Sequence, residues 1–325
     1  MKWHFALGNR YAWRAATVGA FLLCAAIPAQ AAPPAPTEAQ LQAAWGATIS
    51  QTPLPGRGCF TAAYPATAWS QVACTSAPDH RYEPAHGTSG YTVGDGNDYA
   101  AVAAHTISSS VGSFPMAKGV TVEKDGKIAN EYSLQLNTQF ISGSPACAGA
   151  ATPSSCQAWQ QFVFAEQGGK EAGGVLFMQY WLIDYVKKCP AGWIKYSTDC
   201  YTNSSAVSVP KQTISQLRYL AVSGAAVAGG LDTVLLTTKT LAYSTTGDDS
   251  VVDLADFWNA SEFGTEATFN AGPTVTVKIT VVDGSAKAPT CASSAGTTAE
   301  TNNLTLGTCK ANGGAMPGIK FTETN

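Results

Sequence analysis

From about residue 98 the chain reads as short stretches in which apolar and polar positions alternate, the signature of strands that bury one face. The runs are GVTVEKDGKIANEYSLQLNTQF, QAWQQFVFAEQ, GVLFMQYWLIDYV, QTISQLRYLAV, LDTVLLTTKTLAYS, EATFNAG and TVTVKITVVDG, punctuated by Gly, Asn, Asp and Pro. Asp125-Gly126 lies between two alternating stretches and predicts a hairpin. Helix signals are few. PTEAQLQAAWGATIS is a short helical candidate, and DLADFWNASEF fits a short helix or a strand. Many strands at short spacing predict an all-β fold, an antiparallel β-sandwich or barrel.

The faces of these strands carry the functional question. In YSLQLNTQF, Tyr132, Leu134, Leu136 and Phe140 point one way and Ser133, Gln135, Asn137 and Gln139 the other. Gln157, Trp159, Gln161 and Val163 share a face in the next strand, opposite Ala158, Gln160, Phe162 and Phe164; Phe177, Gln179, Trp181 and Ile183 share one in the strand after that. A solvated face would carry Lys and Glu. Amides beside aromatic rings fit a groove for something polar and uncharged, such as peptide backbone or sugar. The same pattern also fits a polar face covered by a loop.

Ahead of the strands lie two other segments. Arg10 and Arg14 precede the apolar run AATVGAFLLCAAI, and AQA follows it, so residues 1–31 are expected to be a secretory signal peptide that ends at Ala31. Residues 32–97 form a Pro/Ala-rich N-terminal segment with a disulfide-tied region, GCFTAAYPATAWSQVAC, and 98–325 the sandwich domain. No later stretch reaches the roughly 18 apolar residues of a membrane span, so no membrane partner is expected once the signal is gone. The chain is then secreted or periplasmic.

Removing Cys24 with the signal leaves eight cysteines, which favours disulfides in an exported protein. Short loops close at least entropic cost, which pairs Cys59 with Cys74, Cys147 with Cys156, Cys189 with Cys200 and Cys291 with Cys309. The absence of CxxC and of a nearby CxxH argues against zinc. Charged residues are 13% of the chain and the formal net charge is −3, which excludes the basic stripe of a nucleic-acid partner. Low charge also suits acidic surroundings, where fewer carboxylates must be protonated against native interactions.

Familiar catalytic sets are missing. DHRYEPAHG holds Asp79, His80, Glu83 and His86, but Pro84 breaks any helix that would align them, and the segment reads as a surface loop. There is no GxSxG elbow for a serine triad, and GDGND lacks the distal glutamate of a calcium loop. No metal or other cofactor is expected. Carboxylates and amides remain, and Glu166, Asp184, Asp256 and Glu266 also lie near candidate strand ends.

The string YSLQL…CQAWQQF…VLFMQYWLIDY…CPAGW resembles the neprosin family in order and character, and DLADFWNASEFGTEATFN resembles both neprosins and the eqolisin glutamic peptidases around their catalytic glutamate. The resemblance covers roughly residues 130–270. It implies a concanavalin-like β-sandwich of jelly-roll type that cuts peptide bonds with a Glu-activated water. It places Gln157 and Glu262 at the catalytic positions and puts Trp159, Gln161, Gln179 and Trp181 in the substrate groove. QAWQ lacks one glycine of the family's string, which leaves Gln160 or Gln161 as alternatives to Gln157; SEFG lacks neprosin's double glycine. The whole chain most resembles a family of exported bacterial proteins sharing WQQFV, MQYWL, SEF and TNNLTLG, a resemblance that carries no activity with it. The expected partner is a polypeptide substrate. The alternative is a non-catalytic binding protein for polysaccharide, and residues 32–97 are a candidate propeptide or cap over the groove.

Overall fold

A computed structural model describes residues 35–85, 99–125, 128–168, 173–293, 297–300 and 302–325. The chain divides into Met1–Pro36 and Thr37–Asn325, and the second unit holds every element below. The expected signal peptide, His86, GDGND and the Gly126 of the hairpin turn lie outside the described residues.

Two large antiparallel sheets form a sandwich. The back sheet runs Ser70–Val72, Cys59–Ala63, Leu241–Asp248, Leu231–Thr237, Ala221–Ala225, Ser109–Lys118, Thr274–Val282, Gly318–Thr324 and Thr305–Leu306. The front sheet runs Ile194–Tyr196, Asp199–Asn203, Gly174–Ile183, Gln157–Gln167, Glu131–Thr138, Ala260–Glu266, Tyr99–Val102 and Thr290–Ser293. All-β is therefore the observed class. The hairpin forms as a small ladder between Glu123–Asp125 and Ile128–Ala129, and DLADFWNASEF splits into the helical turn Leu254–Phe257 and the start of the Ala260–Glu266 strand.

The core between the sheets takes the side chains that alternation assigned to it. Leu134, Leu136, Phe162, Phe164, Leu176, Met178 and Phe263 from the front sheet meet Phe114, Val222, Val234, Leu236, Val277 and Ile279 from the back. Fully burying one such side chain contributes about 1.5–3 kcal/mol. Two glycines let the sheets approach: a Cβ on Gly112 would fall 2.0 Å from the Phe263 ring, and one on Gly224 2.4 Å from Phe162. Gln160, one of the two alternatives to Gln157, belongs to this interior, where its Nε2 donates to Asp232 Oδ2 at 3.0 Å.

The N-terminal helix Glu38–Ile49 starts at a capping box between Thr37 and Gln40. It packs Trp45 and Ile49 onto Ala62 and Ala242 of the back sheet. All four local disulfides form, with Cα separations from 5.3 to 6.2 Å. Among the described residues no helix is long and apolar enough to cross a membrane.

Candidate functional site

Register places the polar residues of the front sheet in one row across five strands. Glu262 pairs with Asn137, Asn137 with Gln161, Gln161 with Gln179 and Gln179 with Asn203. Directly opposed residues on neighbouring strands share a face, so one carboxyl and four amides line up on the side away from the core. A second row, Trp159, Trp181 and Tyr201, lies two residues along the same strands. With Ile183, Phe140 and Tyr196 these rings form their own apolar cluster.

This face is covered. Thr75–Ala85 crosses it as a strap that begins with a bridge between Thr75 and Ala206 and ends with Ala85 N donating to Thr297 O at 2.8 Å. Thr297–Glu300 lies beside it, joined through the bridge of Pro84 to Thr298. Covering leaves Glu262 2% exposed and Asn137, Gln161, Gln179, Trp159 and Trp181 fully buried. The segment read as a surface loop does expose Asp79, His80 and Arg81, but it buries Tyr82 and Pro84 against the sheet.

Glu262 accepts three hydrogen bonds: Asn137 Nδ2 to Oε1 at 3.2 Å, and Thr297 N and Oγ1 to Oε2 at 3.0 and 3.3 Å. Burial works against these donors and wins, pushing the carboxyl up to about 7. Next in the row, Gln161 Nε2 donates to Gln135 Oε1 at 3.0 Å, and Gln135 Nε2 donates to Ser133 Oγ and Glu300. The carbonyl oxygens Asn137 Oδ1 and Gln161 Oε1 are buried without a hydrogen-bond partner, an arrangement that costs about 1–3 kcal/mol per group in a purely structural site.

Gln179 holds the strap. Its Nε2 donates to the backbone O of His80 at 3.1 Å and to Asn203 Oδ1 at 2.8 Å, and its Oε1 accepts from Tyr82 N at 2.9 Å. One side-chain amide thus pairs with an extended backbone as a neighbouring strand would. Tyr201 and Tyr196 hydroxyls donate to Asp79 and Glu83 at 3.2 and 2.6 Å, and Arg81 lies 4.6 Å over the Tyr196 ring.

Of the residues read from the sequence, Glu262, Gln161, Gln179, Trp159 and Trp181 come together on this face. Gln157 does not reach Glu262. It pairs with Ile183 and Ser142 at the start of its strand, and its Nε2 donates to Ser142 Oγ at 3.2 Å. Four residues separate it from Gln161, about 13 Å at the rise of a strand. Asn137 takes the place beside the carboxylate. Its parity was visible in YSLQLNTQF, but its register against Glu262 was not. Thr297 had no sequence signal. Among the described residues no group of three or more His, Cys, Asp or Glu is arranged to hold a metal.

No protein-family model matches this chain and no curated protein matches it.

Proposed function

We propose that the chain is an exported glutamic-type peptidase held in a latent form, with Glu262 as base and the Asn137 and Gln161 amides as oxyanion donors. The observation that carries this reading is the row itself: a buried carboxyl, two neighbouring amides level with it and a third amide already holding peptide backbone. With Thr297 displaced, ionised Glu262 takes a proton from water as its oxygen attacks a substrate carbonyl carbon. The negative charge on the carbonyl oxygen meets Asn137 Nδ2 and Gln161 Nε2. Glu262 then passes the proton to the leaving nitrogen as the C–N bond breaks. A base with its pKa near 7 is matched to such a task around neutrality.

Thr75–Ala85 lies where an extended substrate would, which supports the cap reading of the N-terminal segment. Four disulfides support an oxidising compartment. A glycan-binding module would need open aromatic faces, whereas Trp159 and Trp181 are fully buried among Phe140, Ile183, Tyr196 and Tyr201.

The test is hydrolysis of denatured protein between pH 4 and 8 by the chain with its strap weakened by Arg81→Gly and Tyr82→Gly, the background for the variants below, read as new N-termini by mass spectrometry. Glu262→Gln is expected to abolish cleavage. Asn137→Ala should lower it by about 10²–10³, the loss typical of one oxyanion donor, and Gln157→Ala should leave it intact. Full activity in Glu262→Gln would end the proposal.

A further inference from the structure

Within the strap, Tyr82 differs from its neighbours. It is 6% exposed, and its ring drops into a pocket walled by Val163, Ala165, Val175, Phe177 and Ala206. The Tyr82 and Phe177 ring centroids are 5.9 Å apart at 49°, and the His80 ring closes the other side at 4.5 Å. These residues form a cluster separate from the sandwich core, so the front face keeps an apolar site of its own beside the polar row. Gln179 hydrogen-bonds main-chain atoms of the strap, the O of His80 and the N of Tyr82. Backbone is held without regard to sequence, while one side chain fills a pocket, and that division is how sheet-like peptide recognition separates affinity from selectivity.

We infer that the pocket of Val163, Ala165, Val175 and Phe177 is a side-chain subsite that selects an aromatic residue in an extended peptide held by Gln179. The inference rests on reading the front face as a peptide site. It adds the class of peptide taken: one whose backbone spans Gln179 and whose next side chain on that face is Tyr or Phe. The walls Val163, Ala165, Val175, Phe177 and Ala206 are apolar; the polar side chains beside them are His80, against the Tyr82 ring, and Ser133 and Gln135, opposite Ala165 and Val163 on the next strand. An acidic or amide side chain entering there would give up water to apolar walls, whereas an aromatic ring meets the tilted Phe177 ring at a centroid distance of 5.9 Å.

The experiment uses the full chain with the strap weakened, Arg81→Gly with Tyr82→Gly, and a fluorescent peptide of sequence APDHRYEPA, the strap's own residues 77–85. Anisotropy is expected to show saturable binding, and binding at least about tenfold weaker when Ala replaces Tyr in the peptide, from the apolar area of one ring. Adding Ala165→Leu, which fills the pocket and leaves Gln179 in place, should erase the preference. Equal binding of both peptides, or no binding, overturns the subsite. Mass spectrometry of the same mixtures reports separately on hydrolysis. An aromatic preference with the peptide left intact keeps the subsite and removes the peptidase proposal; cleavage without the preference does the reverse.

Discussion

Glu262 is a carboxyl group whose proton is worth more folded than unfolded. Its folded pKa is about 7 against an ordinary 4.5, raised by burial, so between those values the native chain holds a proton that the unfolded chain has released. Stability from this group is complete below pH 4.5 and lost as pH climbs through 7. Asp232, pushed by burial from 3.8 to about 7, acts in the same direction. Asp248 and Asp283 are held below 3.8, the first by Arg57 and the second by the donors of Ser285, His105 and Ala104 against the cost of burial, so they do not titrate in this window. The urea midpoint is therefore expected to fall from pH 5 to pH 8, and Glu262→Gln and Asp232→Asn should each flatten that fall. Both replacements fit: Asn137 can turn its partnerless Oδ1 toward the new amide at 262, and Gln160 Oε1 gains a donor at 232. A midpoint that rises with pH in the wild type would contradict these shifts. A resemblance brought Glu262 forward as a candidate, but its burial was not legible in the sequence, because the residue that seals it, Thr297, stands 35 positions away and outside any strand pattern.

At the scale of elements, the sandwich depends on strands that pass close enough for a ring to occupy the space above a glycine. Gly224→Ala drives a methyl into Phe162, and Gly112→Ala drives one into Phe263. Both rings are at full burial with no room to retreat. Each change should lower unfolding free energy by about 1–3 kcal/mol, the usual cost of overpacking, measured by urea denaturation; a neutral result would show that the sheets are less tightly apposed. Strand alternation in the sequence assigned the faces within Glu131–Thr138, Gln157–Gln167 and Gly174–Ile183 correctly, because period two follows from backbone geometry alone; Phe140, expected to face the way of Leu134 and Leu136, lies past the strand's end at Thr138 and turns instead onto Trp159. What alternation leaves open is sliding along the strand. Gln157 and Gln161 share a face, and only the ladder with Glu131–Thr138 shows that Gln161 is the one level with Asn137 and Glu262. The strap was hidden for another reason: its hold comes from side-chain amides and hydroxyls up to 215 residues distant, which leave no periodic trace in DHRYEP.

For the molecule as a whole, local chemistry was the readable part. The four disulfides close short loops, PTEAQLQAAWGATIS stood out as a short helical candidate, and both follow from neighbours in the chain. The closed state of the front face depends on segments from near both ends of the described fold and so needed coordinates. One of the short loops has a wider consequence. Cys74 lies immediately before the strap and is bonded to Cys59, whose strand is zipped along Leu241–Asp248. A single backbone nick beyond Ala85 would free one end of the plug and leave the other leashed to the sandwich. Dilution could not then carry it away, since a leashed segment rebinds at an effective concentration of about millimolar. Nicked protein is expected to keep 77–85 protected in hydrogen exchange with or without a reductant, because the backbone of residues 64–74 still joins it to the paired strand Cys59–Ala63. A second nick between Ala63 and Cys74 leaves the Cys59–Cys74 bond as the remaining covalent tie, and there a reductant should abolish the protection. Setting that segment loose would take two cuts and a reduction, where one cut alone leaves it tied twice.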